Sequence, residues 1–209
     1  MARPVPEKSV SFGTLSFSIL PRVYEPAEDS FLLATYASSL SGSILEVGCG
    51  SGIVSLSAAQ ANPKNTVLGV DINPLAVKCA QANAAANGIK NATFLLSDLF
   101  SDVPAAQKFD YILFNPPYLP TTRAERLKTP EENAAYDGGA SGLNVFKRFI
   151  AEAPTHLEDG GKVAVIATSL GNGVEKTLAL LEARAGSAEI LAEEKFFFEK
   201  LALIEAKRR

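Results

Sequence analysis

From Ser43 onward, short apolar runs rich in β-branched residues alternate with stretches of helical composition. A chain patterned in this way is confined to one architecture, a largely parallel sheet with helices packed on its faces. The spacing predicts strands at Ile44–Val47, Thr66–Asp71, Ala92–Leu96, Phe109–Phe114 and Lys162–Ala167, then one near Ile190 within Glu189–Phe197 and one at Lys200–Ala206. Helices are expected over Ile53–Ala61, Pro74–Asn87, Leu143–Thr155 and Gly173–Arg184. Pro74 in a first turn and Gly88 just past an end fit helix-boundary chemistry. No helix separates the last two strands, so they should pair antiparallel. The expected fold is α/β, with about seven mostly parallel strands and an antiparallel edge strand. Ahead of the sheet, Val10–Phe12 and Leu15–Ile19 flank Gly13-Thr14 as a small hairpin, and Ala27–Ser38 reads as a helix.

The 209 residues fit one domain, 1–209, with the hairpin and helix of residues 1–42 packed on it. No window approaches a membrane span and the N-terminus has no secretory pattern, so the expected compartment is the cytoplasm. Cys49 and Cys79 have neither CxxC spacing nor clustered histidines, which argues against a disulfide framework and a metal site. The net charge of −3 weighs against non-specific nucleic-acid binding, and Lys207-Arg208-Arg209 reads as a solvated tail. His156, the sole histidine, falls in a helix-to-strand connection and is read as structural or exposed.

After the first sheet strand comes Glu46-Val47-Gly48-Cys49-Gly50-Ser51-Gly52. A dinucleotide fingerprint would need glycine at position 53, where Ile53 stands, so the pattern is GxGxG. With Glu46 two residues ahead of Gly48, it suits a ligand with an amino-acid moiety and a nucleoside better than a pyrophosphate. Asp71 ends the second strand, where a carboxylate can accept from ribose hydroxyls or act in part as a helix cap. Asp98 follows the third strand, positioned either to accept from an adenine amine, with Leu99 over the ring, or to cap a loop. These three strand ends outline a crevice at the carboxyl edge of the sheet.

The fourth strand runs into Asn115-Pro116-Pro117-Tyr118. Asparagine offers a side-chain carbonyl, and proline offers a backbone carbonyl with no N–H to compete for it. Two carbonyls on a rigid turn can grip both hydrogens of a planar NH2 group, such as a glutamine amide or the amine of adenine or cytosine. The long stretch Leu119–Gly142 that follows is read as a loop covering the substrate.

On Asn115–Tyr118, the GxGxG turn and the segment Val23-Tyr24-Glu25-Pro26-Ala27-Glu28-Asp29-Ser30-Phe31-Leu32-Leu33, the chain resembles the HemK family of protein glutamine methyltransferases. These are class I S-adenosylmethionine-dependent enzymes with a Rossmann-like methyltransferase sheet, and the likeness is to their short archaeal and eukaryotic branch. The resemblance implies that S-adenosylmethionine is held by Tyr24, Ser30, Glu46, Gly48, Gly50, Asp71, Ile72, Asp98, Leu99 and Asn115. It implies that Asn115, Pro116, Pro117 and Tyr118 bind substrate, with Asn115, Pro116 and Tyr118 taking part in catalysis. Tyr136–Leu143 resembles a Gly-Gly loop of the family, with Ala140-Ser141 departing from its commoner acidic form. The implied substrate is the glutamine of the Gly-Gly-Gln motif in a class I translation release factor. A small zinc-binding activator protein is an implied partner, paired near Ala92–Leu96. Methylation of nucleic-acid amines or of protein lysine are the alternative activities, and a non-catalytic binding module is a further one that the intact Asn115–Tyr118 disfavours.

Overall fold

The structure, a computed structural model, describes residues 8–118, 143–170 and 173–208. The expected covering loop and its Gly-Gly segment, up to Gly142, lie outside the described residues. The chain divides into two compact units, residues 1–102 and 103–209.

The first unit opens with an antiparallel hairpin of β1 (Lys8–Phe12) and β2 (Leu15–Ile19). β2 alternates strictly, burying Leu15, Phe17 and Ile19 while Ser16 and Ser18 face outward. That period of two marks a strand covered on one face. After helix α1 (Glu28–Ala37), two β-α units follow: β3 (Ser43–Val47), α2 (Ile53–Ala61), β4 (Thr66–Asp71), α3 (Pro74–Ala86), then β5 (Ala92–Leu96). β3 pairs parallel with β4, Val47 opposite Val70, and β4 pairs parallel with β5, Asp71 opposite Leu96. The register brings the carboxyl ends of the three strands side by side. α2 is apolar on nearly every face because it is buried along most of its length, from Ile53 to Ala59.

The second unit contains β6 (Phe109–Phe114), α4 (Asn144–Glu152), a 3₁₀ turn (Ala153–His156), β7 (Leu157–Thr168), α5 (Val174–Arg184), β8 (Gly186–Lys195) and β9 (Lys200–Arg208). Its core is strand-centred: Ile112, Leu113, Val163–Ala167 and Ile204 are fully excluded from solvent, backed by Phe146, Phe149 and Ile150 of α4. Each such large side chain contributes roughly 1.5–3 kcal/mol on burial.

The sheet is α/β and seven-stranded, in the order β5-β4-β3-β6-β7-β9-β8. The expected antiparallel pair is present. The reversed strand is β9, which pairs antiparallel with both β7 and β8 and so stands one place in from the edge.

Two expectations are corrected. The helix expected to reach Thr155 stops at Glu152 and tightens to a 3₁₀ turn, because Pro154 has no N–H to continue the ladder. The basic C-terminus is not a free tail: β9 runs to Arg208, whose guanidinium donates to the Leu157 carbonyl and lies 3.5 Å from Asp159. Of the two readings of His156, structural or exposed, the structure has the first: it is buried, with Nδ1 3.2 Å from the Gln107 carbonyl.

Candidate active site

In the first unit, β3 ends in the turn Gly48–Gly52, in which all three glycines take positive φ. The turn leads into α2, and Gly52 is the helix N-cap residue. Any side chain at Gly52 would be strained: its φ is +85°, and a Cβ there would lie 3.0 Å from the Ala80 Cβ of α3. Gly50 differs, since a Cβ on it would meet nothing within 4 Å. The space over Gly50 is therefore open, room in which a ligand can approach the backbone.

Glu46 is buried in β3, and its Oε2 accepts the Ser55 N–H at 2.8 Å and the Ser55 hydroxyl as well. Ser55 lies in the first turn of α2, where an N–H has no partner within the helix. Glu46 thus holds the helix start to the strand. Burial, more than the two Ser55 bonds offset, pushes its carboxyl up to about 8.

Asp71, at the end of β4, accepts the Gly50 N–H at 2.9 Å on one oxygen and the Asn73 N–H at 2.8 Å on the other. Burial raises its pKa while those N–H groups oppose the rise. A carboxylate has about four acceptor positions, so lone pairs remain beyond these two bonds. Ile72 beside it is an exposed large apolar side chain, 51% accessible.

After β5, Leu99 is buried with φ +53°, a left-handed conformation unfavourable by about 1–2 kcal/mol for a residue with a Cβ. Serines on either side hold it there. Ser97 Oγ donates to the Leu99 carbonyl at 2.9 Å and accepts the Asp102 N–H at 3.1 Å, while the Ser101 hydroxyl and N–H both donate to the Asp98 carbonyl. Strain retained by such over-determination is a feature of ligand sites.

Tyr24 and Ser30 meet on a residue the sequence reading did not single out. The Asp29 carboxylate, buried at the start of α1, accepts the Tyr24 hydroxyl at 3.0 Å, the Ser30 N–H at 2.6 Å and the Ser30 hydroxyl at 3.1 Å. A buried carboxylate needs such donors. The first turn of α1 carries two acidic residues, Glu28 and Asp29, and only burial separates the exposed Glu28 from the buried Asp29.

In the second unit, β6 delivers Asn115 directly after Phe114, whose ring packs 4.5 Å from that of Phe149 on α4. Pro116 is buried and Pro117 and Tyr118 are half-buried. Asn115 Oδ1 is a buried oxygen with no hydrogen-bond partner among the described residues. An acceptor left so costs roughly 1–3 kcal/mol, which makes it an oxygen awaiting a donor. No group of His, Cys, Asp and Glu able to hold a metal ion exists among the described residues.

The open space over Gly50, the carboxylate lone pairs of Asp71 and buried acidic groups that an adjacent cation would relieve all fit S-adenosylmethionine, which carries ribose hydroxyls and two positive centres.

Comparison with known proteins agrees with this chemistry. Residues 27–129 match the family model described as methyltransferase small domain. A protein of Methanocaldococcus jannaschii, provisionally named a protein N5-glutamine methyltransferase, is 43% identical over 195 residues, covering 93% of this chain and 96% of its own length. The release factor glutamine methyltransferase of Geobacter sulfurreducens is 33% identical over 182 residues; this chain spans 62% of it. Among solved structures, a T. thermophilus 16S rRNA methyltransferase in complex with AdoMet and guanosine aligns with all of this chain and 53% of its own, with a TM-score of 0.73 at 25% identity.

A GxGxG turn at the head of a seven-stranded sheet with one reversed strand defines a class I S-adenosylmethionine-dependent methyltransferase. Within that class, the chain belongs to the HemK-type family of protein glutamine methyltransferases.

Proposed function

We propose that this chain methylates the side-chain amide nitrogen of glutamine in the Gly-Gly-Gln motif of a class I translation release factor. The buried, unpartnered Oδ1 of Asn115 supports the reading most directly. An amide nitrogen is a poor nucleophile because its lone pair is delocalised into the carbonyl. If Asn115 Oδ1 and the Pro116 carbonyl accept both of its hydrogens, the amide plane is fixed and the nitrogen lone pair is turned toward an electrophile. Tyr118 packs on the amide face in this reading. When bound, S-adenosylmethionine supplies an electrophilic methyl group on a sulfonium. Asp71, with Tyr24, Ser30, Glu46, Gly48, Gly50, Ile72, Asp98 and Leu99, forms the proposed cofactor set. No strong base is needed, since the nitrogen proton becomes acidic as the new N–C bond forms.

The release factor enters through the names of relatives such as the Geobacter protein and through the family resemblance. The likeness to a ribosomal RNA methyltransferase keeps a second acceptor in view, a nucleic-acid amine, which presents the same planar NH2. Incubation with labelled S-adenosylmethionine and either a class I release factor or ribosomal RNA, followed by mass spectrometry, separates the two. Methyl on the Gly-Gly-Gln glutamine is expected; label confined to bases or to lysine overturns the proposal.

A zinc-binding activator is proposed as a partner on β5. That strand ends the sheet order and exposes Leu95 and Leu96, 36% and 49% accessible, so its free edge suits an added chain. Co-purification with a candidate activator should raise activity; equal activity alone removes it. No helix among the described residues is long and apolar enough to cross a membrane, and action in the cytoplasm is part of the proposal.

A further inference from the structure

Asn83 on α3 and Asn87, the residue that caps its C-terminal end, stand four residues apart and serve as a substitute strand for the outer edge of β2. Asn87 accepts the Ser16 N–H at 3.1 Å and donates to the Ser16 carbonyl at 2.8 Å. Asn83 does the same for Ser18, accepting its N–H at 2.9 Å and donating to its carbonyl at 3.1 Å. The spacing explains the match. Four helical residues rise about 6 Å, and two strand residues span roughly 6.7 Å, so alternate outward peptides of β2 meet successive turns of α3.

The two asparagines differ in burial and in reach. Asn83 is buried, and its amide also donates to the Ser51 carbonyl at 2.9 Å, inside the Gly48–Gly52 turn. One side chain therefore joins β2, α3 and the cofactor turn. Nearby, Asn73 caps α3 through the Leu75 N–H at 2.9 Å and donates to the Arg22 carbonyl at 2.8 Å, while its own N–H is held by Asp71. The peptide from Ser16 to Arg22 is thus pinned along α3 at three points.

We infer that Asn83 is a positioning residue for the cofactor: it fixes the Ser51 peptide and hence the orientation of the Gly50 backbone, and it ties that turn to the hairpin. Asn87 makes the same ladder but leaves the turn untouched, so it serves as the internal control. The inference concerns cofactor affinity and does not depend on which nitrogen receives the methyl group.

The test compares Asn83→Leu with Asn87→Leu in the full-length protein, titrating S-adenosylmethionine calorimetrically and measuring thermal unfolding. Both variants lose a two-way amide bridge and should unfold at lower temperature. Only Asn83→Leu should weaken the cofactor, by about tenfold, the scale of one lost buried hydrogen bond with its partner left unpaired. Turnover at saturating S-adenosylmethionine should return to within about twofold of the parent, giving a KM effect without a kcat effect. Equal affinity losses in the two variants, or wild-type affinity in Asn83→Leu, would overturn the inference. Should Asn83→Leu fail to fold, Asn83→Asp keeps the acceptor for the Ser18 N–H and supports the same comparison.

Discussion

Glu46 on β3 accepts both the N–H and the hydroxyl of Ser55, so a strand carboxyl supplies the missing first-turn partner of α2. Its pH behaviour follows. The carboxyl titrates near 4.5 when unfolded and near 8 when folded, so between these values the folded state holds a proton that the unfolded state has released. Stability from this group is complete below pH 4.5 and is lost as pH rises through about 8, at about 1.4 kcal/mol per pH unit at most. Asp71, also shifted upward, adds in the same direction. Glu46→Gln keeps an oxygen for Ser55 and should flatten the fall in melting temperature between pH 5 and pH 8 measured without cofactor.

Asn115→Ala removes the unpartnered acceptor. Turnover should fall by roughly 10²–10³, the scale for losing one preorganised polar contact to a reacting group, while S-adenosylmethionine affinity changes little. Because the lost oxygen is unsatisfied, the variant should be no less stable than the parent and up to about 1 kcal/mol more so. Single-turnover methyl transfer and denaturant unfolding on one preparation check both halves. Near-full activity would remove Asn115 from the acceptor role.

Gly50 and Gly52, two positions apart in one turn, should respond differently to a methyl group. Gly52→Ala forces a Cβ to 3.0 Å from Ala80 Cβ and 3.2 Å from Ala80 Cα, so it should destabilise the fold by roughly 1–3 kcal/mol. Gly50→Ala meets no neighbour within 4 Å, so its stability cost is only that of positive φ, about 1 kcal/mol. Its methyl group would occupy the space proposed for the ligand, and cofactor affinity should drop more than tenfold. Melting temperature and calorimetric binding distinguish the two.

Asp71→Ala strands the N–H groups of Gly50 and Asn73 and removes the proposed ribose acceptor. S-adenosylmethionine should bind at least tenfold more weakly, with a stability loss of about 1–3 kcal/mol. Asp71→Asn, which keeps one oxygen, should fall between the variant and the parent in both measurements.

What could be read directly from the residues was local. The strands from Ile44 to Phe114 have boundaries within a residue of those observed, because each is a short, largely apolar run closed by a small or polar residue, Gly48, Asp71, Ser97 or Asn115. Gly48–Gly52 and Asn115–Tyr118 are equally contiguous. Asp29 was hidden because its role depends on Tyr24 folding back across five residues. Asn83 and Asn87 were hidden more deeply. In sequence they are polar residues within and just past an alanine-rich helix, and only the tertiary fold supplies the β2 peptides they read. The extra length of β7 before Lys162 was missed because Gly160-Gly161 reads as a turn, although the strand passes through it.

The amide ladder on β2 also has a bearing on how the chain is made. Ser18 and Asn83 are 65 positions apart, and Ser16 and Asn87 are 71. At roughly 5–20 residues per second of synthesis, the N-terminal hairpin leaves the ribosome several seconds before the helix that satisfies its outward peptides. Until then β2 presents Leu15, Phe17 and Ile19 on one face and unpaired peptide groups along its edge. The nascent hairpin is therefore a segment that a holding chaperone would protect, and completion of α3 is the moment at which that need ends.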